Sequence, residues 1–259
     1  MSNRKIKVSG DLTSDEKFKK KMEEIKGLGY VPSHRHGDTG VGNTLEDLLG
    51  IEENSIQASD INDVELKANR KDSSSNITLM TKSPDKRGVN KNILREEYGY
   101  QTPESKDINP KAKILHTTVD GKDFNTLNGK PFMKLTFEGD KMYLEHFEDG
   151  RLDDIYWSKE QLEKAFEKKY PAQKIYHVQA EVKVDEGEEK FYYDEADSLE
   201  GFSFNKMMNG LESGDLKIDI RLGLYESGKK AGKEHDNGTA IRIPANKLEK
   251  FFNKKKKLL

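Results

Sequence analysis

The stretch from Asp60 to Ala68, DINDVELKA, decides how this sequence folds around its most reactive residues. From residue 64 onward apolar and charged side chains alternate, and this pattern predicts a β-strand with Glu65 and Lys67 on one face. Leu66 would anchor the strand in the core from the opposite face. Asp60 would approach the charged face from the preceding loop, so the stretch predicts two carboxylates and an ammonium group in one cleft.

Two acids and a lysine at this spacing are typical of a nuclease centre. Asp60 and Glu65 are candidate catalytic residues and metal ligands, since carboxylate oxygens suit a hard cation such as Mg2+, which can polarise a phosphate and activate a water. Lys67 could orient that water, help to remove its proton, or stabilise charge on the phosphate. A solvated strand face is the alternative, because 47 acids and 45 basic residues among 259 produce such triplets by chance.

Composition sets limits on the class of protein. Charged residues make up 36% and hydrophobic residues 33%, so a large solvated or ligand-facing surface is expected. The net charge of −2 does not favour nucleic-acid binding, although a nuclease can keep acids on its outer face and a basic cleft inside. The absence of cysteine excludes disulfides and thiolate nucleophiles. Without an apolar signal core or a long apolar run, we expect a soluble, cytoplasmic protein.

Periodicity and capping signals predict a mixture of helices and strands. Helices are predicted over residues 13–26, 45–49, 158–166 and 204–211 and after Pro244, and strands over residues 64–68, 77–81, 114–118, 132–137, 142–147, 176–184, 216–224 and 241–243. Residues 82–109 hold few apolar anchors and are predicted to be an extended connection or mobile arm. Lys254 to Lys257 are expected to form a solubilising tail, with contact to a DNA backbone as the alternative.

Two separated blocks of the sequence resemble the MvaI/BcnI restriction endonucleases, which are monomeric relatives of the mismatch-repair nicking enzyme MutH. The first block comprises residues 40–46, 48–54, 60–67 and 78–81, and the second comprises residues 216–223 and 235–242. Two blocks in the right order are more specific than either block alone. These blocks cover about a third of the chain, and in residues 82–211 we recognise no comparable match.

The resemblance implies an α/β (α+β) fold of the PD-(D/E)XK nuclease type, with a central mixed sheet flanked by helices and two lobes that form a DNA cleft. A catalytic lobe is expected over about residues 1–110 and a DNA-recognition lobe over about residues 111–259, with a shared core. The implied activity is Mg2+-dependent cleavage of double-stranded DNA at a short, specific, GC-rich site by a type II restriction endonuclease. The implied form is a monomer, with a cognate DNA methyltransferase acting on the same site.

By position, the resemblance also implies roles for residues outside the opening stretch. Glu46 would be an accessory acid at the cleavage centre, or otherwise a surface acid near the positive end of its helix. The DNA-binding residues would be Asp219, Arg221, His235, Asn237 and Arg242. An arginine can donate two hydrogen bonds to guanine O6 and N7, and an aspartate can accept one from cytosine N4. Alternatively, Asp219 and Arg221 could form a salt bridge on a solvated face. Asn237 departs from the family pattern, in which a second histidine is expected at this position. This departure concerns which DNA sequence is recognised and not the cleavage chemistry.

Three other functions remain as alternatives. A strand-nicking enzyme of the MutH type would give only open circles from a supercoiled plasmid. A DNA-binding module without cleavage is disfavoured by the intact set of Asp60, Glu65 and Lys67. A zinc site at His34, His36 and His235 is disfavoured because no fourth ligand suggests itself.

Overall fold

The computed structural model describes residues 15–35, 37, 39–51, 63–71 and 75–259. Asp60, predicted as a metal ligand, and His36 lie outside the described residues. Within the described part of the chain, no helix has both the length and the apolar character needed to cross a membrane.

Helices form at both ends and in the middle of the described chain. The α-helices are α1 (Asp15–Lys26), α2 (Gly40–Leu49), α3 (Glu96–Tyr98), α4 (Pro103–Ile108), α5 (Lys159–Lys169) and α6 (Phe204–Ser213). A π-helical segment, Asn90–Arg95, runs directly into α3. Short 3-10 helices follow at Gly228–Lys230 and Ala245–Phe251.

The strands lie between or after these helices, singly or in runs of up to six. They are β1 (Val31–Pro32), β2 (Glu65–Arg70), β3 (Asn76–Thr81), β4 (Leu115–Val119), β5 (Thr126–Leu127), β6 (Lys130–Pro131), β7 (Met133–Glu138), β8 (Lys141–His146), β9 (Gly150–Ser158), β10 (Lys174–Asp185), β11 (Glu188–Glu200), β12 (Lys217–Leu224), β13 (Glu234–Pro244) and β14 (Lys254–Lys257).

The chain folds into two compact units that interleave along the sequence. The first unit comprises residues 1–77, 166–204 and 244–259, and the second comprises residues 78–165 and 205–243. The chain therefore passes between the units four times, at junctions that fall inside β3, α5, α6 and β13. The sequence suggested one boundary near residue 110, whereas each compact unit is assembled from separate stretches.

The first unit contains a five-stranded mixed sheet. Its strand order is β1-β11-β10-β2, with β14 also paired to β11. Strand β10 pairs antiparallel with β11 through a tight turn and parallel with β2. Glu186 and Gly187 both have positive φ, as a two-residue hairpin turn of this hand requires. The mixed sheet with flanking helices confirms the predicted fold class.

The core of the first unit lies between this sheet and the helices α1 and α2. Phe18 of α1 stacks on Tyr176 of β10, with ring centroids 3.9 Å apart, and both rings are fully buried. Leu45 of α2 and Leu66 of β2 belong to the same buried cluster. Loss of one such leucine side chain to alanine costs about 2–5 kcal/mol. The apolar face predicted for β10 leaves this core after Ala180, so its Val184 is exposed.

The second unit is built from antiparallel pairings. A four-stranded sheet has the order β3-β13-β12-β4, a three-stranded sheet has the order β7-β8-β9, and β5 pairs with β6. As the alternation predicted, Ile218, Ile220 and Leu222 of β12 are buried, which directs Asp219 and Arg221 to the opposite face. The placement of these two side chains is therefore fixed by burial of the apolar face.

The prediction of an extended connection over residues 82–109 is wrong. The segment contains the π-helical turn and α3, and Leu94 is fully buried. It also contains α4, which starts with a capping box between Thr102 and Ser105 and has Pro103 at its first position. Besides Leu94, a buried arginine, Arg95, anchors this segment through an ion pair with Glu234.

The prediction of a solubilising tail at residues 254–257 is also wrong. The four lysines form β14, which pairs antiparallel with β11, and the following Leu258 is buried. Four identical residues show no alternation, so the sequence pattern gives no sign of a strand. Lysines on a strand at a sheet edge discourage pairing with other chains. The helix predicted after Pro244 forms as a 3-10 helix.

Candidate active site and reading surface

The candidate cleavage centre is a cluster around Glu65 on the first strand of the mixed sheet. Its carboxylate is almost fully buried, with 1% of the side chain exposed. Lys67 Nζ donates to Glu65 Oε1 at 2.6 Å, as expected for two residues on one strand face. Lys169, from the last turn of α5, places its own Nζ 2.8 Å from the same oxygen. Two ammonium groups thus contact one buried carboxylate, which would be costly to desolvate without a partner.

A buried histidine lies beside this charged face. His177 on β10 is in register with Lys67 on β2, and its Nε2 lies 2.6 Å from Asn69 Oδ1. Asn69 uses its Nδ2 to donate to the Arg70 carbonyl, so its oxygen faces the ring and Nε2 carries the proton. Burial lowers the pKa of His177 to about 4, against the opposing charge of Asp197. His177 is therefore neutral at physiological pH and ties β2 to β10.

Neither Lys169 nor His177 was predicted from the sequence. Lys169 lies among many lysines in an amphipathic helix, and His177 lies in a strand whose apolar neighbours dominate the pattern. Their proximity to Glu65 and Lys67 depends on the parallel pairing of β2 with β10 and on where α5 ends. No local pattern reveals such non-local packing.

Glu46 lies on α2, the helix that also contributes Leu45 to the core. Glu46 lines a hollow of about 340 Å³ together with His34, Arg35, Asn43, Asp47 and Ile51. In this hollow His34 Nδ1 lies 2.7 Å from Asp47 Oδ2. The structure brings Glu65 and Lys67 into contact, whereas the accessory role of Glu46 remains a prediction.

The donor chemistry of the Glu65 cluster fits a hard divalent cation. The buried carboxylate is an anionic oxygen donor of the kind that hard divalent cations prefer. Within residues 15–35, 37, 39–51, 63–71 and 75–259, no group of three or more histidine and carboxylate side chains forms a metal cluster. Asp60, the second predicted ligand, lies outside those ranges.

The candidate reading surface is the polar face of the four-stranded sheet. Asp219 is 7% exposed and accepts hydrogen bonds from Arg242 Nη1 at 2.8 Å and Thr118 Oγ1 at 2.7 Å. Arg242 Nε also donates to Thr78 Oγ1 at 3.0 Å. Asp219 thus forms its salt bridge with Arg242 and not with Arg221, the partner considered from the sequence. The network holds Arg242 in place across neighbouring strands.

Arg221 lines a surface hollow of about 640 Å³ on this face. The other residues that line it include Thr117, Thr118, Phe124, Asn125 and Asp219. Arg221 Nε has no hydrogen-bond partner in the described part of the chain. Burial, followed by the charge of Arg242, lowers the pKa of Arg221. A partly buried guanidinium with an unused Nε–H donor is suited to an incoming acceptor.

A β-bulge opposite Arg221 shapes the same surface. Ile220 pairs with Thr239 and Leu222 pairs with Asp236, so Asn237 and Gly238 together face Arg221. Gly238 has a φ of 86°, which favours glycine at this position. The bulge inserts one extra residue and changes the direction of the Asn237 side chain.

The space above Gly223 is used by two side chains from neighbouring strands. A Cβ at Gly223 would lie 3.4 Å from His116 Nε2 and 3.6 Å from Asn237 Nδ2. His116 was not predicted as a site residue, although it alternates with buried residues on β4. Burial, followed by the charge of Arg221, lowers the pKa of His116. His235 stacks on Tyr225, with ring centroids 4.2 Å apart.

The π-helical segment clamps the strand that carries His235 and Asn237. Arg95 Nη2 donates to the His235 carbonyl at 3.0 Å, and Arg95 Nη1 lies 2.9 Å from Glu234 Oε2. Asn90 Nδ2 donates to Asp236 Oδ2 at 3.0 Å, while Asp236 Oδ1 accepts from the Gly238 amide. The clamp therefore holds the strand on the N-terminal side of the bulge, and Asp236 connects this side to the Gly238 amide.

Comparisons with known proteins agree on one family. A model of the MvaI/BcnI restriction endonuclease family matches residues 19–252. The structure of restriction endonuclease MvaI in complex with cognate DNA substrate is similar over 96% of this chain and 100% of that chain, with 32% identity and a TM-score of 0.85. MvaI in the absence of DNA is 31% identical, covers 98% and 100% of the two chains, and gives a TM-score of 0.56. A comparison with curated proteins gave no match.

Proposed function

Because this chain belongs to the MvaI/BcnI restriction endonuclease family and is a site-specific deoxyribonuclease, we propose that it uses Mg2+ to cleave double-stranded DNA at a short, GC-rich site. It is a type II restriction endonuclease. The observation that carries the proposed chemistry is the buried Glu65 carboxylate held by Lys67 at 2.6 Å.

Glu65 and Asp60 would hold the cation, with Glu46 as an accessory acid. Bound Mg2+ would supply Lewis-acid activation of the phosphate and of the attacking water. Lys67 would then orient the water or stabilise charge on the phosphate, since its flexible ammonium group has three donors. Its contact with Glu65 keeps that ammonium group at the centre.

Arg221 and Arg242 are proposed to read bases from the face of the four-stranded sheet. A guanidinium can donate two hydrogen bonds to guanine O6 and N7, and the hollow beside Arg221 leaves space for a base edge. Each Asp219 oxygen already accepts one hydrogen bond, yet a carboxylate oxygen can accept a second from cytosine N4. This combination favours G·C pairs. His235 and Asn237 would complete the contacts.

The first unit would therefore cut and the second unit would read. We further propose that the enzyme acts as a monomer and that a cognate methyltransferase protects host sites. We also propose a cytoplasmic location, because its DNA substrate is found there. The support for monomeric action and for the methyltransferase is the similarity to the family.

Digestion of unmethylated phage DNA in the presence of Mg2+, with sequencing of the fragment ends, tests this proposal. Discrete fragments with a common GC-rich end sequence are expected, and no cleavage without divalent cation. A supercoiled plasmid should give linear DNA, whereas open circles alone would indicate a nicking enzyme. No cleavage of either DNA would indicate a DNA-binding module and would contradict the proposal.

Variants separate the cleavage chemistry from binding. Asp60→Ala and Glu65→Ala should each abolish cleavage while specific DNA binding in Ca2+ is largely retained, because reading contacts lie on the other sheet. Lys67→Ala should be severely impaired. Glu167→Ala, which removes an exposed acid on α5, is the matched control and should cut normally. Normal cleavage by the Glu65 variant would overturn the assignment.

A further inference from the structure

We propose that Lys169 is a positioning residue that makes cation binding at Glu65 depend on DNA. In the absence of DNA, the Lys169 ammonium group contacts Glu65 Oε1 and hinders cation binding there. When DNA binds, one of its phosphates attracts this ammonium group away from Glu65, and the cation can then bind. The inference rests on the proposed function, since it concerns the same cleavage centre. It adds a residue and a regulatory step that the DNA-cleavage chemistry alone does not require.

The first support is that two lysines contact one oxygen. Lys67 Nζ and Lys169 Nζ lie 2.6 and 2.8 Å from Glu65 Oε1. Lys67 is held near Glu65 by its position two residues along the same strand. Lys169 comes from a different element, and its placement on Glu65 is a separate feature of the fold.

The second support is the burial of the three side chains. Glu65 is 1% exposed, whereas Lys169 and Lys67 are 20% and 15% exposed. At 1% exposure, solvent screens the pairing of the carboxylate with these ammonium groups only weakly. Lys169 retains contact with solvent, so rotation of its long side chain can move the ammonium group without a change in the backbone.

The third support is charge. Any divalent cation that binds Glu65 must share the carboxylate with the Lys169 ammonium group and is repelled by it. A DNA phosphate is an alternative counterion for an ammonium group and brings the negative charge needed to relieve that repulsion. Cation binding and DNA binding should therefore strengthen each other, by an equal factor in both directions.

The test is direct measurement of Ca2+ binding, which reports affinity without cleavage. Calorimetric titrations of wild type and Lys169→Met are compared, each with and without a duplex that carries the sequence found at the cleaved ends. We expect Lys169→Met to bind Ca2+ about tenfold more tightly than wild type in the absence of DNA. DNA should then increase the affinity of this variant for Ca2+ much less than that of wild type.

Two further variants keep the result interpretable. Lys168→Met removes the same charge from the adjacent, exposed position and should behave as wild type. Lys169→Arg keeps the charge and should restore the dependence of Ca2+ binding on DNA. Circular dichroism of each variant shows whether it is folded, and if Lys169→Met does not fold, Lys169→Gln takes its place.

The outcomes separate the two proposals. If wild type cuts DNA but Lys169→Met shows wild-type Ca2+ affinity and the same response to DNA, the inference about Lys169 is wrong and the proposed function stands. If Lys168→Met reproduces the effect, the cause is general charge and the inference is also wrong. If wild type neither cuts DNA nor binds Ca2+ under any condition, the proposed function fails and the inference fails with it.

Discussion

Replacing His177 by glutamine should make the stability of the protein less sensitive to mild acid. His177 is 3% exposed, and burial lowers its pKa from an ordinary value of 6.5 to about 4. The folded state thus holds a neutral imidazole where the unfolded chain holds a protonated one in mild acid. Protonation of the unfolded chain then favours unfolding as the pH falls below 6.5.

The size of the effect follows from the two pKa values. The His177 contribution is nearly complete at pH 7, decreases as the pH falls through 6.5, and stops decreasing near pH 4. Between pH 7 and pH 5 the loss is about 2 kcal/mol, and the loss at pH 4 and below approaches about 3 kcal/mol. Glutamine cannot titrate, so this part of the pH dependence should disappear in the variant.

The assay is urea unfolding of wild type and His177→Gln at both pH values. The variant is expected to be less stable at pH 7, because the bond to Asn69 is altered, yet to lose about 2 kcal/mol less than wild type on acidification. Equal losses in wild type and His177→Gln would refute the reasoning, as would an NMR titration that shows His177 protonated near pH 6.

Other variants test the reading surface and the backbone. Arg221→Ala should lose about 1–3 kcal/mol of binding free energy on the cognate duplex and much less on single-base variants of it. Lys254→Ala should weaken binding to all duplexes alike. An equal loss for Arg221→Ala on every duplex would show that Arg221 reads no base. Arg95→Met should reduce the free energy of unfolding in urea by about 2–4 kcal/mol, and should also reduce discrimination between DNA sequences. Lys91→Met, at an exposed position near Glu234, is the control and should change neither quantity. Gly201→Ala places a Cβ 2.6 Å from Asn253 Nδ2 at a φ of 88° and should reduce the free energy of unfolding by about 1–3 kcal/mol. Gly129→Ala, at a glycine that also has positive φ but open space around it, should reduce this free energy less. Equal reductions would show that crowding at Gly201 is unimportant.

The charged strand was predictable because its signal is local. Alternation of apolar and charged residues is enough to put Glu65 and Lys67 on one face and Leu66 on the other, where it joins the apolar core. The same reasoning placed Asp219 and Arg221 correctly on the polar face of β12. Such patterns depend only on neighbours in the chain and on which face is buried.

The remaining parts of the site depend on contacts between distant segments. The partner of Asp219 is Arg242 because β12 and β13 pair in one register, which no spacing in the sequence specifies. Strand β11 was missed because Glu188–Glu200 is rich in charged and polar residues, yet it lies between β10 and two short strands. Its pairing partners stabilise it where its own pattern gives a weak signal.

The four junctions between the units restrict how a new reading specificity could be acquired by recombination. Since each junction lies inside a strand or helix, an exchange of the second unit with a relative must join two separate segments, residues 78–165 and 205–243, at four points. A shift of one residue at the joints in β3 or β13 would turn every following side chain of that strand to the opposite face. Single substitutions on the polar face, or changes in the length of the Asn237-Gly238 bulge, preserve all four joints and offer a simpler route to altered specificity.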